Sequence, residues 1–220
     1  MSQLRKENIE CPHCHQEGEF DLWTLVNVDL DPELREKIFS DELFMYRCPH
    51  CGKVTGIPAG TLYHDMTHGF MIFFDFFKPE DYDYAPMEIP EGIGLQKEYL
   101  FRAVFGLQRF KEKIVILKHG LNDVAIEHQK YMVSHVIMPE IAEKGYELFF
   151  AKTEEPNEEF PYGTIYFFYD DKEKEQTMQI RFAMDNYFEH KLACELDPRM
   201  KAEGCMCVDA EWMAKQMKEE

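Results

Sequence analysis

Apolar and polar positions alternate along residues 19–30, where Phe20, Leu22, Val26, Val28 and Leu30 share one face at period two, which predicts a half-buried strand. Asp31-Pro32 then reads as an N-cap with proline at the first helical position, and Glu33 to Phe39 as a short helix with Leu34 and Ile38 four apart. Residues 42–47 predict a second strand, and after a turn at Gly52 the segment 54–62 continues a small sheet. Residues 70–77 (FMIFFDFF) are apolar on both sides, the pattern of a strand buried between two layers. Phe70, Ile72, Phe74 and Phe76 project one way and Met71, Phe73 and Phe77 the other. If the chain's own helices do not cover the second row, a homodimer contact is expected to.

Residues 78–94 are rich in Tyr, acidic residues, Pro and Gly and read as a loop, followed by a strand at 98–105. Helices are expected at 107–119, ended by Gly120, and at 123–137, capped by Asn122 and stopped before Pro139. Leu107, Phe110, Ile114 and Leu117 line one face of the first. In the second, Val124, Glu127, Tyr131 and Ser134 make a mixed face, and the apolar stripe runs through Ile126, Val133 and Ile137. Beyond residue 145 the pattern changes to strands at 146–152, 164–169 and 175–184, then helices at 186–195 and from 210, the last capped by Asp209. The expected fold class is α+β: a metal-ribbon sheet with a helical hairpin over residues 9–137, then a smaller α+β unit over 145–220.

The 220-residue chain is 45% hydrophobic, ample for a buried core, and carries a net charge of −18, which disfavours nucleic acid and anionic membranes as partners. The only local basic enrichment is Arg102, Arg109, Lys111, Lys113 and Lys118, for which a solvated helix face is the ordinary explanation and RNA or an acidic partner the alternative. The opening MSQLRKENIE has no apolar leader pattern, and no run approaches the ~20 apolar residues that span a bilayer, so a cytoplasmic protein is expected. Its seven cysteines are then expected to be reduced.

Cys-Pro-His-Cys occurs twice, at 11–14 and 48–51. Two residues between cysteines fold the backbone into a knuckle whose sulfurs face one point, and two knuckles supply the corners of a tetrahedron. Pro12 and Pro49 pre-set φ in each turn. Gly52 permits a left-handed residue after the second knuckle, where the first has His15 at a modest strain cost. Cys11, Cys14, Cys48 and Cys51 are therefore predicted to hold one structural metal, zinc first and iron as the alternative for the same ligand set. Two independent redox dithiols are the competing reading.

These residues resemble the CpXC domain family: Cys11-Pro12-His13-Cys14, the segment NVDLDPELREKI at 27–38, Cys48-Pro49-His50-Cys51-Gly52 and Leu62-Tyr63-His64-Asp65, with Glu112-Lys113-Ile114 and Gly120-Leu121-Asn122-Asp123 further on. The resemblance spans about residues 9 to 137. It implies a small zinc-binding module and supplies no catalytic residues.

Other candidates have plainer explanations. Tyr63-His64-Asp65 could form an acid–base site, although neighbours on a strand point apart, and His68 could add a metal ligand. His13 and His50 are expected to face solvent. Cys194, Cys205 and Cys207, with His190 one helical turn before Cys194, could make a second soft-metal site, but core thiols are the simpler reading. The charge run 170–175 reads as a solvated hairpin turn. No P-loop, dinucleotide fingerprint, HExxH or GxSxG motif is present. The preferred function is a non-enzymatic protein-interaction module with structural zinc. The alternatives are an enzyme built near Tyr63-His64-Asp65 and a weak nucleic-acid binder through Arg102–Lys118.

Overall fold

The first strand is one that the apolar pattern does not announce. In the computed structural model, which describes residues 1–88 and 99–218, strand β1 (Gln3–Glu10) is polar and largely exposed, and it pairs antiparallel with β2 (Glu17–Asn27). It forms because an edge strand needs only backbone partners on one side, and cross-strand pairs such as Lys6 with Glu19 add to the register. Within β2, Phe20 and Val26 are buried as the period-two pattern predicts, as is Val28 just beyond it, whereas Leu30 is exposed.

The chain divides into two compact units, Met1–Lys111 and Glu112–Glu220. Both helices and mixed sheets are present, so the α+β class holds. In the first unit a five-stranded sheet has the order β1-β2-β5-β6-β7, with β5 at Thr61–Asp65, β6 at Phe70–Asp75 and β7 at Leu100–Phe105. β2 and β5 are parallel, as are β6 and β7, while β5 and β6 form an antiparallel hairpin. The β2–β5 crossover contains helix α1 (Glu33–Phe39) and a small ribbon of β3 (Met45–Arg47) and β4 (Val54–Gly56). Asp31 does not cap α1. Its carboxylate accepts from the Ser2 backbone N–H instead, and Pro32 occupies the cap position. The expected strand at 42–47 begins as a 3₁₀ turn over Glu42–Phe44 and extends only at Met45.

The Phe-rich strand is covered within its own unit on one side. Phe74 stacks on Phe110 at 4.3 Å between ring centroids, and Tyr63 stacks on Phe70 and meets Phe110 edge-on. On the other side Met71 is buried and Phe73 half-buried. The strand ends at Asp75, so Phe77 falls outside it and is 71% exposed. The loop after β6 runs to Glu88 with an isolated bridge at Met87; the rest of the expected 78–94 loop lies outside the described residues.

Helix α2 (Leu107–Lys118) carries the chain from the first unit into the second, and Gly120 ends it with φ near 66°. In the second unit, Asn122 caps α3 (Asp123–Met132), its side-chain oxygen accepting from Val124 and Ala125 N–H. The expected helix to 137 continues, but Val133–Ile137 winds as a π-helix. The Ser134 hydroxyl donates to the Lys130 carbonyl at 2.8 Å, competing with the α-helical ladder. Ile137 is consequently exposed, although the apolar stripe places it inward. A short helix α4 (Glu140–Glu143) follows Pro139, then a three-stranded antiparallel sheet, β10-β9-β8, from β8 (Phe149–Glu154), β9 (Thr164–Asp171) and β10 (Gln176–Ala183). Helices α5 (Met184–Leu196) and α6 (Ala210–Lys218) pack on α3, and Asp209 caps α6 by accepting from Trp212 N–H.

The basic enrichment at 102–118 is a solvated face only in part: Lys118 is exposed and Arg109 and Lys111 are half-buried, but two of the five cations lie in the interior. Arg102 and Lys113 are each 3% exposed. The Arg102 guanidinium donates to the Phe101 carbonyl, and Lys113 donates to Asp123 and the Val208 carbonyl. Lys111 closes the end of α1, donating to the Phe39 carbonyl and pairing with Asp41. A third buried cation, Lys130, bridges Glu112 and Glu127 at 3.0 and 2.9 Å, and Glu112 also accepts from Phe150 N–H. The charge run at 170–175 is the β9–β10 turn as expected, but Asp171 within it is buried. Its carboxylate accepts from the Glu173 and Lys174 N–H groups and from Tyr146, and the Lys174 ammonium foremost holds its pKa down at about 2.

Candidate metal centre

The two CPHC segments are the turns of two hairpins. Glu10 pairs with Glu17 across β1–β2, so Cys11–Cys14 forms the connection. Arg47 pairs with Val54 across β3–β4, so Cys48–Cys51 forms the other. Their backbones match bond for bond. Cys11 N–H donates to Gln16 O and His15 N–H to Cys11 O, while Cys48 N–H donates to Lys53 O and Gly52 N–H to Cys48 O. His15 and Gly52, the residues after each knuckle, both adopt positive φ, at 57° and 71°. The first knuckle thus takes the left-handed turn without glycine, at the strain cost expected for a side-chain-bearing residue.

The four sulfurs converge, all within 4.8 Å of one another. Cys11 and Cys51 are 3.7 Å apart and Cys14 and Cys48 3.6 Å. A tetrahedron with metal–sulfur bonds of about 2.3 Å has edges of about 3.8 Å, so the cluster fits a four-coordinate ion. The same distances are far beyond a disulfide bond, about 2.05 Å, and all seven cysteines are free. Cys11 and Cys48 are buried, Cys14 is half-buried and Cys51 exposed.

The surroundings suit negative sulfur. Burial works against ionisation of Cys48, but the amides of Cys51 and His50 outweigh it and, with the neighbouring thiols, bring its pKa down to about 6. At Cys14 the Gln16 amide favours the thiolate, yet burial and the Cys48, Cys51 and Cys11 thiols raise the pKa to about 12. Cys48 is therefore ready as a thiolate near neutral pH, whereas a cation must displace the proton from Cys14. Phe20 and Tyr46 pack on Cys11 and Cys48, with Ile9, Leu22 and Ile57 around them. The Tyr46 hydroxyl is buried with no hydrogen-bond partner among the described residues. Burial first, and then the adjacent Cys48 sulfur, raise its pKa, so it stays protonated beside the cluster.

His13 and His50 are exposed and outside the sulfur cluster, as the sequence suggests. His50 Nε2 lies 3.0 Å from the Glu17 carbonyl, linking the second knuckle to the start of β2.

Tyr63-His64-Asp65 does not assemble as one site. Asp65 is fully buried, accepting from Arg35 at 2.9 Å and from His68 Nδ1 at 2.8 Å, while Arg35 also donates to the Tyr63 hydroxyl. His64 instead contacts Asn27 and the Tyr99 hydroxyl, both at 3.4 Å, and burial lowers its pKa. The Arg35–Asp65–His68 arrangement ties α1 to β5 and to the β5–β6 turn. Cys194, Cys205 and Cys207 are buried separately from the four-sulfur cluster, and Cys207 donates to Asp209 at 3.4 Å. One feature absent from the apolar pattern is β1, which closes the first knuckle; its polar sequence carries no period-two signal. Among the described residues no helix is long and apolar enough to cross a membrane.

A family model described as CpXC protein matches residues 9–130, which include both knuckles, β5 and α3 as far as Lys130. No curated protein and no solved structure matches the chain.

Proposed function

The chain belongs to the CpXC protein family, and from that membership and its four-thiolate cluster we propose that it is a non-enzymatic, cytoplasmic protein-interaction module held together by structural zinc. The observation that carries the reading is the closed shell. Four sulfurs at tetrahedral spacing leave no coordination position for substrate, and a catalytic zinc requires one. Zinc is favoured over iron because Cys51 is exposed, and a redox-inactive ion tolerates a solvent-accessible ligand. Free thiols throughout support a reducing compartment.

Beside the ribbon a cleft of about 340 Å³ is bounded by Trp23, Leu43, Met45 and Tyr46, with Lys6, Lys37 and Arg47 facing Glu19, Asp21 and Glu42 around its edge. The lining is mostly polar and carries both charges, which suits a protein segment of mixed charge better than a polyanion. Affinity capture from the native host, comparing wild type with Met45→Glu, tests this. A protein enriched by wild type and lost with the variant, at unchanged zinc content, is the expected result. Equal recovery by both, or no enrichment over a bead control, contradicts it.

A further inference from the structure

Two imidazoles from different helices of the second unit face each other nitrogen to nitrogen. His128 on α3 and His190 on α5 place their Nδ1 atoms 3.0 Å apart, with ring centroids at 4.9 Å and planes at 75°. We propose that His128 and His190 form a second cation site, separate from the four cysteines, for a divalent first-row transition ion such as Zn²⁺, with Asp197 as third donor and water completing the shell.

The geometry supports this in four ways. Two nitrogens bound to one ion at about 2.0–2.1 Å lie roughly 3 Å apart when they are neighbouring ligands, so little backbone movement is needed. Without metal the close approach is a hydrogen bond, one Nδ1–H donating to the other Nδ1 lone pair. On binding, the donor ring moves its proton to Nε2, and both Nδ1 lone pairs then face the ion with no net proton loss. Both rings are half-buried, and burial foremost keeps their pKa low, His190 at about 4, so both are neutral at neutral pH.

Further donors lie along α5. His190, Cys194 and Asp197 follow at one-turn and two-turn spacing, on one face of the helix and its C-terminal cap. The Asp197 carboxylate is within electrostatic reach of both His128 and Cys194. In the metal-free state the half-buried Asp197 carboxylate accepts from the Arg199 guanidinium, at 2.7 Å at its shortest, and from the Arg199 N–H, so an ion must displace the guanidinium contact to recruit it. Among the described residues, only the four cysteines bring three or more donors within 4.8 Å in the metal-free arrangement, so the third ligand arrives by turning the Asp197 side chain.

The test uses the 220-residue chain already holding one ribbon zinc, titrated with Zn²⁺ by calorimetry. Wild type is expected to take up one further equivalent at micromolar affinity or tighter. His128→Gln and His190→Gln should each abolish it while retaining the ribbon zinc, and Asp197→Asn should weaken it about tenfold or more. In the wild type, ¹⁵N spectra should show the Nδ1 resonances of both histidines shifting together at the same equivalent, a readout that does not depend on the variants folding. No second equivalent, a second equivalent that survives both histidine variants, or unshifted Nδ1 resonances would overturn the proposal.

Discussion

Gly18 sits in β2 opposite Ile9, directly beneath the ring of Tyr46. A Cβ at this position would lie 2.1 Å from the Tyr46 hydroxyl oxygen, 3.1 Å from the ring carbon that bears it and 3.0 Å from Pro49 Cδ. Tyr46 is 2% exposed and cannot swing aside into solvent. Gly18→Ala should therefore cost the ~1–3 kcal/mol typical of overpacking. The opposing gain from a stiffer unfolded chain, about 0.4–1 kcal/mol, is too small to hide it. Tyr46→Phe removes the oxygen that makes the worst contact but leaves the 3.0 and 3.1 Å contacts, so relief should be substantial and incomplete. The assay is urea unfolding of the zinc-loaded protein by fluorescence in a Trp212→Phe background, where the signal comes from Trp23 in β2. Gly18→Ala should lose at least about 1 kcal/mol more with Tyr46 present than in the Tyr46→Phe background, a coupling of the size expected for residues in contact. Equal losses in the two backgrounds would refute the packing described around the knuckles.

Three further outcomes follow from the buried groups. Lys130→Met strands Glu112 and Glu127 in the interior and should destabilise the second unit by about 3–5 kcal/mol, read by denaturant unfolding. Burial foremost raises the Glu127 pKa to about 7 from 4.5. The folded state thus holds a proton that the unfolded state has released, so this group's contribution to stability falls as pH rises from about 4.5 through 7; Glu127→Gln should flatten the unfolding profile across that window, and an unchanged slope would count against it. Phe74→Ala, which removes a ring stacked on Phe110, should cost about 3–5 kcal/mol, whereas Phe77→Ala should stay within about 0.5 kcal/mol; comparable losses would mean that the end of β6 is misplaced.

The metal centre was legible because its signal is covalent chemistry at fixed spacing: two identical tetrapeptides name the four residues whose sulfurs converge. The left-handed turn at His15 was legible for the same reason, since the second knuckle carries glycine at the equivalent place. Periodicity located α1, the core of β2, the Phe-rich strand and the strand-then-helix order after residue 145. It missed β1 because an exposed edge strand has no apolar face to alternate. It also misjudged Lys113 and gave no sign of Lys130, since burying an ammonium depends on carboxylates supplied from elsewhere, Asp123 for one, Glu112 and Glu127 for the other. The π-turn after Met132 is likewise invisible to a 3.6-residue pattern, because side-chain to backbone contacts such as that of the Ser134 hydroxyl with the Lys130 carbonyl leave no trace in apolar spacing. The facing of His128 and His190 arises from how α3 and α5 pack, and sequence spacing pointed only to His190 and Cys194 on one helix.

The most direct test of the metal centre is cobalt substitution of the purified protein. After the native ion is removed under reducing conditions, Co²⁺ is titrated back with thiol-trapping in parallel. One equivalent should give the intense visible absorption of tetrahedral cobalt and a thiolate-to-cobalt charge-transfer band, with Cys11, Cys14, Cys48 and Cys51 protected together. A weak octahedral spectrum, saturation at a stoichiometry other than one for the thiolate band, or protection of fewer than these four thiols would contradict the closed four-sulfur site.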